Sequence, residues 1–458
     1  MSDKRQAYVV DASVFRGAGV EPLKDYRENS DFIVPIQVID ALEEQDPRKL
    51  GASYGSRLAF EFLERVRRQC NNETICHKGA ELGNGNRLIV PKEREGVAYR
   101  KLAYAVIDTT REYVKGHGSI PTTILSNSPG TRFRANQNNI SAEPYGDEFN
   151  PFSGWFRDIK VDEQELAAAQ ARKESGRNFN AKAWEEAVIA AVHARADELH
   201  ISTPSHVALT IKDDANHKGV WLANVNNKSV KPLESQSLGK VKPMNCEQKI
   251  AISYLLDPEI RLVSLGGIAG AGKTFLSLAA GLNQISQHSD YNKIIVYRTL
   301  YGVGQQNLGF LPGTEAEKMA PWAEAIYDDV EIIDKRRIQT KYNQFGREYQ
   351  VIDGIEVKPI TYIRGVTKRN SIIIVDDAQS LERSELLDVL SRVKDTKVVF
   401  THDMSQNDNN YVSRGTSVVK LVNDLMNKKM VASINFTESQ RDSLAQIASE
   451  MRLAEIGL

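Results

Sequence analysis

One short stretch of the sequence limits the fold more than any other: the run GIAGAGKT at residues 267–274. It satisfies G-x-x-x-x-G-K-[ST], and it lies between the apolar run RLVSL and the helical pattern TFLSLAAGLNQI. Glycines at these spacings let the backbone curl so that its N–H groups point at phosphate oxygens, and a following helix N-terminus adds positive potential. The context therefore predicts a strand, a phosphate-binding loop (P-loop) and a helix, as in an α/β fold.

The P-loop predicts a bound nucleoside triphosphate. Lys273 is expected to reach the β and γ phosphates, and Thr274 to offer its hydroxyl to Mg²⁺. The backbone of the six preceding residues is expected to hold the phosphates: Gly267, Ile268, Ala269, Gly270, Ala271 and Gly272. The alternative, a glycine turn that only joins a strand to a helix, is disfavoured because both flanks fit the motif.

Two acidic residues after a second apolar run complete the expected site. In SIIIVDDAQ, Asp376 and Asp377 follow a stretch typical of a buried parallel strand. Asp376 is the expected magnesium partner, and Asp377 is expected to polarise the attacking water. Paired acids after a strand can also be solvated loop residues, but the P-loop favours the functional interpretation.

A third strand end adds polar residues. The run VVFTHDMSQND places Thr401, Asp403 and Gln406 near the same edge of the predicted sheet, where they can sense a γ phosphate. Gln406 is the preferred candidate for that role. A P-loop kinase for a small metabolite is a competing interpretation, but such kinases use an arginine-bearing lid instead of a polar strand end.

Alternating apolar runs and helical patterns predict the domain organisation. They occur in residues 6–145, where the runs AYVVDASVF, DFIVPIQVI and TTILSNS predict strands, and again from residue 241 onward, where IRLVSLGG, KIIVYRT, SIIIVDDAQ and TKVVFTHD predict strands. Such alternation indicates parallel α/β layers. Between them, an Ala- and charge-rich helical stretch precedes short alternating strands. We predict an α/β domain at 1–145, a mixed α+β connecting module at 146–240 and a second α/β domain at 241–458. A chain of 458 residues is long enough for this.

Composition narrows the class of protein. The formal net charge of -1 gives no whole-molecule attraction for nucleic acid, so a nucleic-acid site would have to be local. Three cysteines, an odd number, suit a reducing compartment, and CNNETICH lacks the second ligand pair of a zinc site. With no signal-peptide pattern and no apolar window of ~18 residues, we expect a cytoplasmic protein.

The C-terminal part resembles PhoH-type ATPases. Its landmarks, in order, are NCEQKIA, GGIAGAGKT, GFLPGTEAEKMAPW, TYIRG, IIIVDDAQ and TESQRDSLAQIA. The N-terminal pattern, YVVDASVF followed by FIVPIQVIDAL, is similar to a PIN domain, and this order is that of PIN-PhoH fusion proteins. The resemblance implies a PIN-like three-layer α/β domain, then a P-loop NTPase domain of RecA or helicase type with a parallel sheet.

The same resemblance implies a function. It implies a helicase-like ATPase that uses ATP and Mg²⁺, acts on single-stranded RNA and assembles into a homo-oligomeric ring, a hexamer. Asn245 and Gln248 match an adenine-reading turn, and Arg441 matches a late arginine that reaches the γ phosphate. Arg298 and Arg364 match basic positions near the nucleotide or nucleic acid. Each arginine could equally form a surface ion pair.

One position departs from the family pattern. The chain has Asp376-Asp377-Ala378-Gln379 where the family usually reads Asp-Glu-Ala-Gln. Aspartate is one methylene shorter, and a misplacement of about 1 Å can cost roughly a hundredfold in rate. Binding of ATP should survive, so a nucleotide-gated RNA-binding scaffold with little turnover stands as the alternative function.

The PIN resemblance implies a ribonuclease site with Mg²⁺ or Mn²⁺ held by several carboxylates. Asp11 and Asp40 match metal positions. Ser128, and Ala98 or Tyr99, stand where further acids are expected, and three acids could substitute: Glu43, Glu95 and Asp108. In the alternative interpretation Asp11 and Asp40 are remnants, Asp40 simply opens a helix, and TRFRANQNN and YRKLAY hold RNA through arginines and aromatics.

Overall fold

The structure is a computed structural model that describes most of the chain in two compact units. The first unit contains the described residues up to 145, and the second contains those from 153 onward. The described residues are 5–20, 22–23, 26–43, 54–70, 74–92, 99, 101–145, 153–159, 181–199, 201–212, 218–287, 290–298, 315–342, 348–363, 367–406 and 418–440. In this part of the chain no helix is both long and apolar enough to cross a membrane.

The first unit is built on a six-stranded sheet with the order β3-β4-β2-β1-β5-β6. Its strands are β1 (Gln6–Val10), β2 (Ser30–Ile33), β3 (Ala80–Gly83), β4 (Asn86–Ile89), β5 (Thr122–Leu125) and β6 (Ala142–Glu143). Its helices are α1 (Ala12–Ala18), α2 (Ile36–Glu43), α3 (Tyr54–Gln69), α4 (Leu102–Gly116) and α5 (Pro129–Gln137), with a π-helical turn at Thr74–Lys78. Among these described strands, β3 and β4 pair antiparallel and the others pair parallel. The parallel α/β layer predicted for this part is confirmed.

A buried ion network joins the strands of the first unit. Asp31 is fully buried, and its carboxylate accepts hydrogen bonds from Arg5 at 2.5 Å, Arg87 at 2.7 Å and the Tyr113 hydroxyl at 2.8 Å. Burial alone would raise the pKa of Asp31, but the hydrogen bonds from Arg87, Arg5 and Tyr113 lower it to about 2. The network fixes the register in which Asp31 faces Arg87.

The residues predicted as a connecting module form a four-stranded sheet in the second unit. Its elements are β7 (Trp155–Ile159), α6 (Ala181–Glu198), β8 (His206–Lys212), β9 (Lys218–Asn224) and β10 (Ser229–Pro232), with the strand order β10-β9-β8-β7. Strand alternation gives the sheet two buried faces. Val207 and Leu209 pack in one cluster with α6, whereas Ala208 and Leu222 join the main core of the unit. The module sheet is therefore a layer between α6 and the larger sheet.

The larger sheet of the second unit has eight strands, in the order β13-β14-β15-β12-β17-β19-β11-β20. Its strands are β11 (Leu262–Gly267), β12 (Lys293–Arg298), β13 (Ile338–Tyr342), β14 (Glu348–Ile352), β15 (Ile355–Pro359), β17 (Ser371–Asp376), β19 (Lys397–Thr401) and β20 (Val431–Phe436), and a separate two-stranded sheet pairs β16 (Lys368–Arg369) with β18 (Val393–Lys394). From β15 to β20 the pairing is parallel. The predicted strands at residues 262, 293, 371 and 397 are confirmed, and their near-continuous apolar runs are fully buried in β17 and β19.

In the described part of the second unit, five helices lie in the same stretch of chain as the strands of the larger sheet. They are α7 (Cys246–Leu256), α8 (Lys273–Ser286), α9 (Glu315–Asp334), α10 (Arg383–Ser391) and α11 (Val418–Leu425). A buried lysine caps one of them: Lys397 donates to the carbonyls of Leu255 at 2.6 Å and Asp257 at 2.7 Å, at the C-terminal end of α7. Burial lowers the pKa of Lys397 to about 7, against the opposing charge of Asp257. This side chain ties α7 to the central strand β19.

Candidate nucleotide-binding site

The P-loop, residues 267–272, joins β11 to α8 and needs glycine for two separate reasons. Gly267, Gly270 and Gly272 have φ angles of 116°, 76° and 89°, in the region that side chains disfavour. In addition, a Cβ at Gly267 would lie only 2.1 Å from the carbonyl oxygen of Phe436 at the end of β20. The neighbouring strand therefore restricts the loop from one side.

Lys273 lies inside the curve of the loop. Its ammonium donates to the carbonyls of Gly267 and Ile268, both at 2.7 Å. The predicted strand–loop–helix context is thus present, with a main-chain cradle, an ammonium and the N-terminus of α8 in one place. This donor set fits the phosphates of a nucleotide.

The ends of four adjacent parallel strands bring the other predicted residues together. Asp376, at the end of β17, accepts hydrogen bonds on Oδ1 from the hydroxyls of Thr274 and Thr401, both at 2.6 Å. Arg298, its register partner at the end of β12, lies 3.1 Å from Oδ2. Since β12, β17, β19 and β11 are neighbours in the sheet, residues that are far apart in the sequence converge at one edge.

Asp376 is a buried acid in an environment of mixed charge. Burial raises its pKa and the charge of Asp377 raises it further, whereas Arg298 and the hydroxyls of Thr274 and Thr401 oppose the shift. Asp377 is half-exposed, pairs with Arg298 at 3.2 Å and has a left-handed backbone with φ of 55°. A carboxylate and a hydroxyl at this position are oxygen ligands of the kind that Mg²⁺ takes, so Thr274 and Asp376 fit the metal.

The polar cluster predicted after β19 exists, and Gln379 links it to the aspartates. Gln379 accepts from the backbone N–H of Asp403 at 3.0 Å and donates to Asp377 at 3.3 Å. Gln406 donates to Asp403 at 3.0 Å. Gln379 was not selected as a site residue from the sequence. Its position two residues after Asp377 in the DDAQ run is the sequence signal that could have found it.

Asn245 and Gln248 lie beside the P-loop and make main-chain hydrogen bonds. Asn245 caps α7 by accepting from the Gln248 N–H at 2.9 Å. The Gln248 amide accepts from the Met244 N–H at 2.8 Å and donates to the Ala271 carbonyl at 3.1 Å. The turn before α7 is therefore fixed to the phosphate loop, and recognition of adenine by these two residues stays a prediction.

His402 is a buried neighbour of the loop that sequence reasoning missed. It is only 4% exposed, and one ring nitrogen lies 2.9 Å from the Ser264 hydroxyl. Burial, and then the charge of Lys273, lower its pKa to about 3. A Cβ at Gly266 would approach the ring to 2.4 Å. No local pattern signals this role, because it depends on the pairing of β11 with β19.

The P-loop, Lys273 and the aspartate pair line one cavity of about 590 Å³. Its polar wall includes Lys273, Thr274, Arg298, Asp376 and Asp377, and its remaining wall includes residues of α9 and of the turn before α7. The volume lies within the roughly 300–1,000 Å³ of typical ligand pockets. Arg364 and Arg441, together with residues 309–314 of the longest PhoH landmark, lie outside the described residues.

In the first unit, the carboxylate of Asp11 takes part in a local hydrogen-bond network. It is 3% exposed and accepts from the hydroxyls of Ser13 at 2.8 Å and Ser126 at 2.5 Å. Ser128 caps α5 by accepting from the Thr131 N–H at 3.4 Å. Asp11 therefore joins the turns that follow β1 and β5.

The structure does not bring the other predicted metal residues of the first unit together into a group of ligands. Asp40 is exposed and lies inside α2, so the alternative that it opens a helix is wrong. Glu95 and Ala98 lie outside the described residues. Among the residues that are described, no three or more His, Cys, Asp or Glu side chains are grouped so that they could hold a metal ion. The metal role of Asp11 and Asp40 stays a prediction.

Comparison with known proteins identifies the family. Residues 240–451 match the family model described as PhoH-like protein. Protein PhoH2 of Thermobispora bispora is 32% identical over 459 residues, covering 97% of this chain and 96% of that protein. The chain belongs to the PhoH-like family. The family match contains the P-loop, the aspartate pair and the polar cluster after β19, so the whole candidate site falls within the PhoH-like part.

Other similar proteins cover less of this PhoH-like chain. Protein PhoH2 of Mycolicibacterium smegmatis is 41% identical over 208 residues, covering 45% of this chain and 46% of that protein. Among solved structures, the large terminase from a thermophilic bacteriophage in complex with ADP aligns with 43% of this chain and 46% of its own, with 13% identity and a TM-score of 0.29. Pif1 helicase from Candida albicans aligns with 46% of this chain and 43% of its own, with 14% identity and a TM-score of 0.24.

Proposed function

We propose that this protein binds ATP with Mg²⁺, hydrolyses the ATP and uses the turnover to act on single-stranded RNA. The observation that supports the ATPase proposal best is the 2.6 Å hydrogen bond from Thr274 to Asp376. It joins the end of the P-loop to a buried carboxylate two strands away in the sheet. A hydroxyl and a carboxylate in contact beside a phosphate cradle are the parts that a Mg²⁺-dependent NTPase needs.

Each side chain has a defined task in this proposal. The P-loop amides and Lys273 bind the phosphates, and Asp377 orients the attacking water. Asp403 and Gln406 respond to the γ phosphate. Mg²⁺, held by Thr274 and Asp376, would neutralise phosphate charge. Arg441 is the candidate for a cation that reaches the γ phosphate.

Replacement of the loop lysine tests the ATPase. Lys273→Ala removes the ammonium from the cradle, so we expect ATP binding or hydrolysis to be abolished. ATP binding and phosphate release should be measured with and without single-stranded RNA, in wild type and in the variant together. Lys428→Ala, at an exposed lysine of the same unit, is the matched control. Normal hydrolysis by Lys273→Ala would refute the site assignment.

The RNA proposal rests on the family and on the first unit. We propose that this unit is PIN-like and holds RNA, and that the protein assembles into a ring in the cytoplasm. Phe133 on α5 is 66% exposed and Tyr104 on α4 is 46% exposed. Phe133 lies between Arg132 and Arg134 in the sequence, and an exposed aromatic next to arginines supports base stacking combined with phosphate contact.

Asp11 tests whether the first unit also cuts RNA. If it does, we expect the Mg²⁺- or Mn²⁺-dependent cleavage to require the Asp11 carboxylate, and Asp11→Ala to remove it. Cleavage of labelled single-stranded RNA should be followed with each metal, and with thermal melting as a check that the variant is folded. Undiminished cleavage by a folded Asp11→Ala protein would place the site elsewhere.

A second candidate function is a nucleotide-gated RNA-binding scaffold. It is favoured by Asp377, which is one methylene shorter than the usual glutamate and is paired with Arg298 at 3.2 Å. Both features make Asp377 less able to orient the attacking water. Tight ATP binding with negligible turnover that RNA does not raise would favour the scaffold, and RNA-stimulated hydrolysis would favour the enzyme.

A further inference from the structure

The carboxylate of Asp376 is engaged on both oxygens. Oδ1 accepts from two hydroxyls, those of Thr274 and Thr401, each at 2.6 Å. Oδ2 faces the guanidinium of Arg298, with Nε at 3.1 Å. The same guanidinium reaches Asp377, with Nη2 3.2 Å from its carboxylate. One arginine therefore bridges the two acids of the candidate metal site.

The aspartate pair needs a cation. Asp376 is 4% exposed and adjoins a second carboxylate, so both burial and like charge oppose its ionised form. A buried carboxylate left without a partner is strongly unfavourable. Arg298 provides the compensating charge from the neighbouring strand β12.

Arg298 occupies the oxygens to which a metal ion would bind. A guanidinium and a divalent cation at the same carboxylate repel each other at short distance, and the burial of Asp376 strengthens that repulsion relative to water. The Arg298 side chain is 20% exposed and lines the 590 Å³ cavity, so it can withdraw from the acids without leaving the site. The Asp31 carboxylate of the first unit is compensated in a different way from the Asp376–Asp377 pair. Asp31 is fully buried, and two arginines and a tyrosine donate hydrogen bonds to it.

We propose that Arg298 is the resident counter-ion of the Asp376–Asp377 pair and is exchanged for Mg²⁺ when nucleotide binds. The inference rests on the proposed function for the identity of the metal and nucleotide. In the nucleotide-free protein Arg298 competes with the metal, so the metal alone binds weakly. Phosphate oxygens add ligands for the metal and attract the released guanidinium, so nucleotide strengthens metal binding, and the linkage is reciprocal.

Metal binding without nucleotide tests this directly. The full-length, nucleotide-free protein should be titrated with Mn²⁺, with free Mn²⁺ followed by electron paramagnetic resonance. Arg298→Met removes the competing cation, and we expect it to bind Mn²⁺ about tenfold tighter than wild type. Arg383→Met is the matched control: Arg383 pairs with Asp424 at 2.8 Å, its side chain is 27% exposed, and it is absent from the cavity wall. We expect the control to bind Mn²⁺ as wild type does.

A second variant covers the case in which Arg298→Met does not fold. Arg298→Lys keeps a positive charge for the buried acid, but one ammonium cannot bridge both carboxylates as the guanidinium does. We expect Arg298→Lys to bind Mn²⁺ about threefold tighter than wild type. Unchanged or weaker Mn²⁺ binding by a folded Arg298→Met, or by Arg298→Lys where the former is unfolded, overturns the proposal.

The proposal and the proposed function can fail separately. ATP binding by wild type and its loss in Lys273→Ala test the nucleotide site, whatever Arg298 does. The strengthening of Mn²⁺ binding by ADP should be smaller in Arg298→Met than in wild type, because the variant has no counter-ion to displace. Equal strengthening in both proteins would contradict the exchange even if ATP binding is confirmed.

Discussion

At the scale of single residues, Gly267 shows that the P-loop is determined by more than its ligand. Its φ of 116° suits the curl that presents amides to phosphates, and the carbonyl of Phe436 also excludes a side chain there. The second requirement comes from β20, a strand that lies far along the chain and pairs with β11. A motif residue can therefore be constrained by the fold and by the chemistry at once.

Gly267→Ala should both destabilise the second unit and abolish ATP binding. Left-handed strain and overpacking together are expected to lower the free energy of unfolding by about 2–4 kcal/mol. Gly83→Ala is the matched control, because Gly83 has φ of 101° and no atom lies within 4 Å of the position that a Cβ would take. Gly83→Ala should lower the free energy of unfolding only through backbone strain, by about 1–2 kcal/mol. Urea unfolding and ATP binding measure both effects, and equal costs at the two sites would contradict the steric role of Phe436.

At the scale of elements, buried polar side chains fix helices to strands of the second unit. The Glu247 side chain at the start of α7 accepts from Thr437 N–H at 2.9 Å and from Arg157 of β7 at 2.9 Å. The Gln440 N–H, a little further on, donates to the Gly270 carbonyl of the P-loop at 3.0 Å. The residues after β20 therefore connect the module sheet to the phosphate loop.

Lys397→Met should loosen the end of α7. Methionine fills a similar volume but removes the charged donor that the carbonyls of Leu255 and Asp257 share. Each carbonyl keeps a weaker donor, the Gln284 amide at 3.3 Å and the Ile260 N–H at 3.2 Å respectively. Loss of the hydrogen bonds from the ammonium is expected to cost about 2 kcal/mol of unfolding free energy.

Lys394→Met, at an exposed lysine near the same strand, should stay within about 0.5 kcal/mol of wild type. Chemical denaturation gives both values. A loss no larger than that of the control would show that Lys397 does not cap the helix.

At the scale of the whole molecule, the two units respond to acid through different groups. In the first unit the folded pKa of Asp31 is about 2, below its ordinary 3.8, so its stabilisation is lost only as pH falls from about 4 towards 2. In the second unit burial lowers the pKa of both His206 and His402. Each unfolded histidine binds its proton at a higher pH than the folded one does, so the histidines' contribution to stability falls as pH drops below about 6.5.

We therefore expect the two buried histidines to lower the stability of the second unit between pH 7 and pH 5, while the Asp31 network of the first unit keeps its contribution. The raised pKa of Asp376 acts in the opposite direction, because its folded form binds a proton more readily than its unfolded form. Each buried histidine can contribute at most about 2 kcal/mol of this loss at pH 5. His206→Gln keeps a donor for the Lys429 carbonyl, which His206 contacts at 2.6 Å, and should reduce the loss. His193→Gln, at an exposed histidine, should not. Thermal melting of each variant at both pH values gives the comparison, and identical pH dependence in wild type and His206→Gln would contradict the assignment.

Local sequence predicted much of this architecture. The apolar runs predicted β1, β2, β5, β11, β12, β17 and β19, and the motif predicted the P-loop, because these signals depend on residues close together in the chain. The hairpin β13–β14 and the edge strand β20 were not predicted. The exposed pattern of β13 resembles a loop, and β20 is recognised only by its pairing with β11.

The sequence by itself determined that the chain contains a P-loop, an acid after a buried strand and a PhoH-like C-terminal part, since these are properties of short runs of residues. Only the tertiary structure decided that Thr274, Thr401 and Arg298 meet at Asp376, that His402 lies under the loop and that the module sheet joins the main core. The physical reason is that strand order places the ends of β11, β19, β17 and β12 side by side. That order follows from the packing of the whole unit, which no single run of residues contains.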